Sequence, residues 1–167
     1  MYNELTVVDI KKMKDEISYR ANELRPKLSD DVKEARSLGD LSENAEYRSA
    51  RRAFCGNESR IRHLQKMIRT AKIISAESAP DEVGLFDKIT VFYEDTGDTE
   101  ELMISTTTRL DLDKGIISRE SPFGKAVLGH KIGDRIYVKV SEDYDYYVII
   151  KNIVKGKDDE SIPLNKY

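Results

Sequence analysis

Residues 42–75 read SENAEYRSARRAFCGNESRIRHLQKMIRTAKIIS and contain no proline and a single glycine. A seam of mostly apolar residues recurs through them at alternating steps of three and four: Tyr47, Ala50, Phe54, Asn57, Ile61, Leu64, Ile68 and Ala71. This spacing is typical of a helix that packs one narrow stripe against a partner helix. The stretch therefore predicts a helix over residues 43–75, roughly 50 Å long at 1.5 Å per residue. Asn57, the one polar seam residue, is expected to help set the register of the pair.

The preceding residues supply the partner helix. Their apolar residues also recur at helical spacing, with a drift near Ala21, and Pro26 interrupts them. Because proline removes a helix hydrogen bond and bends the axis, we expect a long helix bent near Pro26. Gly39 can take the left-handed conformation after this helix, and Asp40 or Ser42 can cap the next one. Residues 1–77 are thus predicted to form an antiparallel coiled-coil hairpin.

The pattern changes in residues 78–156, where short runs of Ile, Val, Tyr and Thr alternate with turn residues. Such runs are typical of strands in an antiparallel sheet. The predicted strands are residues 88–93, 101–105, 115–118, 135–140 and 146–154. Ser121 and Pro122 suit the cap and first position of a short helix. The fold class is therefore α+β, and residues 157–167 are expected to form a polar, poorly ordered tail.

Composition and charge exclude several classes of protein. The chain has 167 residues and a net charge of −3, made of +4 over residues 1–75 and −7 over residues 76–167. It has no apolar run long enough for a membrane span and no pattern of a signal peptide at its start. Its single cysteine, Cys55, cannot form a disulfide within the chain, so we expect a reducing cytoplasm. We interpret Cys55 as a packing residue rather than a nucleophile.

The candidate chemistry is sparse. His63 and His130 lie in different halves without further ligands at useful spacing, so a self-contained enzyme is not expected. Positive charge concentrates between Asn44 and Lys72, where it either attracts phosphate or an acidic surface or forms a solvated helix face.

Two acids stand out at the predicted hairpin tip. Asp40 and Glu43 are three residues apart at a helix start, so both carboxylates could point the same way. They match an acidic capping box, and they equally suit a magnesium site shared with another protein, since Mg²⁺ takes one or two carboxylates and keeps several waters.

The string GDLSENAEY at residues 39–47, with Phe54-Cys55 and Arg60-Ile61 beyond it, resembles the coiled-coil tip of the GreA/GreB family. Arg25-Pro26 matches the first helix of that family. Residues 83–91, 117–118 and 121–129 resemble its FKBP-like domain. The resemblance covers roughly residues 5–155 and implies a transcription elongation factor of the cytoplasm that is not itself an enzyme.

The resemblance also implies a mechanism. The hairpin would enter the secondary channel of bacterial RNA polymerase, where Asp40 and Glu43 would hold a shared Mg²⁺, with no cofactor of the chain's own. The polymerase would then cut the 3′ end of a backtracked RNA. The resemblance implies that five further residues shape the tip: Leu41, Ser42, Asn44, Glu46 and Tyr47. It implies that Arg48, Arg51 and Arg52 face the RNA. Ser121 and Pro122 would dock on the polymerase.

Three other functions remain open from the sequence. The first is a channel-binding regulator of polymerase that does not promote cleavage. The second is a prolyl isomerase or chaperone that uses the FKBP-like domain, although that half contains no tryptophan to line an apolar cleft. The third is a structural coiled-coil adaptor.

Overall fold

The computed structural model describes residues 4–37 and 45–165. These residues form two compact units. The N-terminal unit contains the described residues between 10 and 71, and the C-terminal unit contains residues 4–9 and 72–165. The first residues thus belong with the C-terminal half, although the sequence grouped them with the hairpin. No helix in the described ranges is both long and apolar enough to cross a membrane.

The N-terminal unit is a helical hairpin, as predicted. Helix α1 spans Val7–Tyr19, a π-helical turn follows over Arg20–Leu24, α2 spans Arg25–Ser37, and α3 spans Ala45–Arg69. Buried side chains of α3 form one stripe: Asn57, Ile61, Leu64 and Met67. Helix α3 ends before the predicted Ser75, because Lys72 and Ile73 form a strand instead.

The expected bend at Pro26 takes a different form. The departure from α-helical geometry lies just before the proline, in the π turn Arg20–Leu24, where the Arg25 N–H donates to the Arg20 carbonyl five residues back. Pro26 has no N–H to donate to Asn22, the carbonyl that a regular α-helix would pair with it. A π turn accommodates one extra residue in a helix, which accounts for the drift near Ala21.

The C-terminal unit is built on a five-stranded sheet. Strands β1 (Glu4–Leu5) and β2 (Lys72–Ile73) form a separate parallel pair. The main sheet contains β3 (Lys88–Tyr93), β4 (Thr99–Ser105), β5 (Ile116–Ser118), β6 (Arg135–Lys139) and β7 (Asp145–Val154). Its spatial order is β5-β4-β3-β7-β6, so β6 is an edge strand. The α+β class is confirmed, with one departure from an antiparallel sheet: β4 and β5 are parallel.

One face of this sheet carries the core. Ile89 and Val91 of β3, and Val148 and Ile150 of β7, are fully buried and belong to the same cluster as Phe123 and Val127 of helix α4 (Pro122–Val127). A β-carbon added at Gly124 would clash with the Ser118 carbonyl oxygen. The short helix therefore needs glycine there to approach the end of β5.

The described residues of the predicted polar tail make specific contacts with the C-terminal unit. Asp158 accepts a hydrogen bond from the fully buried Arg109, whose guanidinium also donates to the Asp159 carbonyl. Asn165 donates through its backbone N–H to Thr108. The polar composition that suggested disorder instead supplies the acceptors that a buried cation requires.

Candidate functional site

Five of the candidate residues lie outside the described residues: Asp40, Leu41, Ser42, Glu43 and Asn44. The predicted turn at Gly39 lies outside them too. What the structure provides is the scaffold on either side, since α2 ends at Ser37 and α3 begins at Ala45. Their roles stay predictions, and the geometry of the site is built from α2 and α3.

An open groove lies between these two helices. It has a volume of about 440 Å³ and is lined by Asp31, Glu34, Ala35, Glu46, Ser49, Ala50 and Ala53. The candidate residue Glu46 is exposed on its wall, whereas Tyr47 is half-buried at a seam position. Small residues on the floor let the helices approach closely, and acids dominate its rim.

Cations occupy the opposite side of α3. At 100° per residue, one stripe contains Arg48, Arg51, Arg52, Arg62, Lys66 and Arg69, and all six are exposed. The three arginines predicted to face RNA are thus brought together near the start of α3. Cys55 is exposed as well, so its interpretation as a packing residue is wrong. Its place on this stripe, away from the seam, explains why it does not pack.

A polar cluster interrupts the seam beside the π turn, and the sequence predicted only Asn57 of it. Asn57 is 3% exposed. Its Nδ2 donates to the Arg20 carbonyl at 3.3 Å, and its Oδ1 accepts from Arg20 Nη1 at 3.2 Å. The same carbonyl therefore accepts from both Arg25 N–H and Asn57, which ties the π turn directly to α3.

Two carboxylates complete the cluster. Glu16 accepts two hydrogen bonds from Arg60, each 2.9 Å, and one from Arg20 at 2.7 Å. Glu58 accepts a bidentate pair from Arg25 at 2.6 and 2.9 Å. Glu16 and Arg20 are one helical turn apart, but the Arg25–Glu58 and Glu16–Arg60 pairs join residues 33 and 44 positions apart in the chain. Sequence spacing alone could not reveal these two longer-range pairs.

Both carboxylates have pKa values below the ordinary 4.5. Burial on its own raises the pKa of Glu16, but the hydrogen bonds from Arg60 and Arg20 outweigh it and lower that pKa. The hydrogen bonds from Arg25 are the main cause of the lowered pKa of Glu58. Both groups are therefore held in the ionised form that accepts these bonds.

Ser121 and Pro122 lie at the start of α4. Ser121 Oγ accepts from the Gly124 N–H at 2.9 Å and donates to the Ser118 carbonyl at 2.7 Å, so it caps the helix as the sequence predicts. Pro122 occupies the first turn and is exposed. Their docking role stays a prediction.

Within the described ranges, no group of three or more His, Cys, Asp or Glu side chains could hold a metal ion. The carboxylates of Asp40 and Glu43 are the hard oxygen ligands that Mg²⁺ prefers, and two of them leave room for ligands from a partner.

Comparisons with known proteins cover both units. The family model described as transcription elongation factor, N-terminal, matches residues 3–73, and the one described as transcription elongation factor, GreA/GreB, C-term, matches residues 71–154. The chain is 37% identical to the transcription elongation factor GreA of Oenococcus oeni over 92% of this chain and 95% of that protein. It is 38% identical to the transcription elongation factor GreA of Mesoplasma florum over 81% of this chain and 87% of that protein.

Among solved structures, the chain is similar to that of the transcription factor Gfh1, with a TM-score of 0.44, 21% identity and coverage of 92% of this chain and 99% of that one. This likeness is too weak to add to the assignment. The two family models and the curated relatives together span the hairpin and the sheet. The chain belongs to the GreA/GreB family of transcription elongation factors.

Proposed function

We propose that this elongation factor inserts its hairpin into the secondary channel of bacterial RNA polymerase, in the cytoplasm, and stimulates cleavage of the 3′ end of backtracked RNA. The observation that carries the proposal is the placement of the family's tip string. Asp40 and Glu43 lie in the seven residues that join α2 to α3, and the exposed cations of α3 follow directly.

The roles divide between chain and polymerase. Asp40 and Glu43 would hold a Mg²⁺ at the polymerase active centre, where the ion stabilises charge and activates water for phosphodiester hydrolysis. Leu41, Ser42, Asn44, Glu46 and Tyr47 would shape the tip around them. In this proposal the chain supplies two carboxylates and the polymerase supplies the rest of the active centre, so the nuclease activity belongs to the polymerase.

The test is RNA cleavage in a purified backtracked complex with magnesium. Wild type is expected to accelerate cleavage, and Asp40→Ala with Glu43→Ala to bind the polymerase equally well without doing so. Asp30→Ala with Glu34→Ala is the matched control, because it removes the same charge from exposed positions of α2. Binding without cleavage by wild type would identify a channel regulator instead. Full cleavage by the double tip variant would exclude the carboxylate mechanism.

Arg48, Arg51 and Arg52 are proposed to face the extruded RNA. Arg51→Ala with Arg52→Ala should lower cleavage at low salt, and the difference from wild type should shrink as salt rises, because exposed charges are screened. Arg62→Ala with Lys66→Ala, farther along the same stripe, should have a smaller effect. A loss that does not depend on salt would contradict the electrostatic role.

Ser121 and Pro122 are proposed to dock on the polymerase rim. Ser121→Ala should cost about 1 kcal/mol of stability through the lost cap, whereas Pro122→Ala keeps the cap and tests docking. The measurement is the polymerase dissociation constant beside the melting temperature. Unchanged affinity in Pro122→Ala would place the docking surface elsewhere.

A further inference from the structure

The apolar seam that runs along α1 and α2 shifts by one residue at the π turn between them. Before the turn it follows a heptad through Ile10, Met13, Ile17 and Arg20. Continued as a regular heptad beyond the turn, it would place Lys27, Asp31 and Glu34 against α3, yet all three are exposed. The residues one position later lie inward instead: Leu28, Val32 and Ala35 are half-buried or buried.

One extra residue explains this shift. A π turn closes on the carbonyl five residues back rather than four, so the following helix is rotated by about 100° relative to an uninterrupted α-helix. Here the turn occupies Arg20–Leu24, directly before α2. The π turn therefore determines which face of α2 packs on α3, and with it the direction in which the chain leaves α2 at Ser37.

The polar cluster of Glu16, Arg20, Arg25, Asn57, Glu58 and Arg60 joins the residues of the π turn and its flanks to α3. Asn57 binds the Arg20 carbonyl that closes the π turn, and Glu58 binds the Arg25 side chain at its end. Glu16, one turn earlier, binds both Arg20 and Arg60. Residues from both sides of the π turn are thus fixed to one short segment of α3.

We infer that Asn57 and Glu58 are positioning residues, which hold the π turn and thereby set the rotational phase of α2 and the orientation in which Asp40 and Glu43 reach the polymerase active centre. The part of this inference that concerns cleavage rests on the function proposed above. The part that concerns the phase of α2 does not.

The releasing variant is Asn57→Leu with Glu58→Gln. It removes the Asn57 amide and the bidentate carboxylate of Glu58, and it leaves α1, the π turn residues and α2 unchanged in sequence. It also adds an apolar seam residue, which favours a regular heptad. The compensating variant adds deletion of Asn22. Removing one residue keeps Leu28, Val32 and Ala35 in phase with the heptad without any π turn. Gln65→Leu with Asp15→Asn is the matched control at exposed positions.

The phase of α2 is measured as the distance between two spin labels, one on the native, exposed Cys55 and one on Lys33→Cys. Rotation by about 100° around a helix some 10 Å wide moves the second label by several ångström. The releasing variant should change or broaden this distance, and deletion of Asn22 should restore it. An unchanged distance in the releasing variant overturns the inference, whether or not the protein stimulates cleavage.

Cleavage is then measured at saturating protein. The releasing variant should lose roughly ten- to a hundred-fold in the cleavage rate, as misplaced catalytic groups do, with less change in polymerase affinity. Deletion of Asn22 should recover the rate. A shifted distance with a normal cleavage rate would support the part of the inference that concerns the phase of α2 and overturn the part that concerns cleavage. If the wild-type protein does not stimulate cleavage, the proposed function is wrong. The spin-label distance then still tests whether Asn57 and Glu58 set the rotational phase of α2.

Discussion

Arg109 shows how much one buried side chain can organise. It is fully buried, and its guanidinium donates to Asp9, Thr6 and Asp158 and lies 4.6 Å from the centroid of the Phe86 ring. Asp9 and Thr6 in turn cap each other's backbone N–H at the start of α1. The start of α1 and the C-terminal tail are therefore held by the same cation.

Replacing Arg109 should be costly. Arg109→Met leaves the buried Asp9 carboxylate without its partner, and breaking a buried ion pair on one side costs about 3–5 kcal/mol. Arg135→Met is the control, because its pair with Glu94 is exposed and exposed pairs contribute up to about 1 kcal/mol. Urea unfolding measures both. Equal midpoints for the two variants would contradict a stabilising role for the cluster.

Two glycines should respond in opposite ways to alanine. Gly124→Ala places a β-carbon against backbone atoms of Ser118 and Arg119, so it should destabilise the C-terminal unit by about 1–3 kcal/mol. Gly56 lies within α3 with nothing within 4 Å of the added carbon. Gly56→Ala should therefore stabilise the hairpin by about 0.5–1 kcal/mol. Thermal melts of the two variants check the signs.

At the scale of elements, the hairpin should be sensitive to acid. The lowered pKa values of Glu16 and Glu58 mean that their stabilisation is complete above pH 4.5, the ordinary pKa, and is lost as pH falls through the lower folded-state pKa. Circular dichroism melts between pH 7 and pH 3 should show this loss. Glu16→Gln should flatten the profile, and Glu34→Gln, on the groove wall, should leave it steep. A Glu16→Gln profile as steep as that of wild type would exclude this carboxylate as a cause.

The elements also show what sequence can predict. The strands were found because β-branched and aromatic runs are bounded by turn residues, and β3 has the predicted bounds. The parallel pairing of β4 and β5 was missed, because it depends on the path of residues 106–115 rather than on either strand. The π turn appeared only as a drift near Ala21, since an apolar pattern reports a phase shift without the backbone geometry that absorbs it.

For the candidate site, the cations of α3 and the Ser121 cap followed from spacing, because both depend on neighbours within a helical turn. The contacts of Asn57 and Arg109 and the Glu16–Arg60 pair did not, since these residues come from distant parts of the chain. At the scale of the whole molecule, the contacts of residues 158–165 with Arg109, Thr107 and Thr108 could not be predicted for the same reason.

Removing those residues should test their role. Truncation after Gly156 deletes the Asp158 and Asp159 acceptors of Arg109 and the Asn165 bonds to residues 107 and 108. The C-terminal unit should lose several kcal/mol of stability, on the order of the loss of a buried ion pair. Hydrogen exchange of the sheet amides is the measurement. Truncation after Leu164 keeps both aspartates and should cost less, and equal exchange in wild type and the Gly156 truncation would make the tail dispensable.

The charges on the edge strand β6 affect whether two copies of the protein can join their sheets. Two copies that joined these edges antiparallel about Tyr137 would bring Arg135 of each chain opposite Lys139 of the other, and like charges directly opposite disfavour such pairing. The opposite edge strand, β5, has only three residues. The sheet thus discourages its own polymerisation, and a cell can accumulate many copies of this factor without their sheets growing into one another.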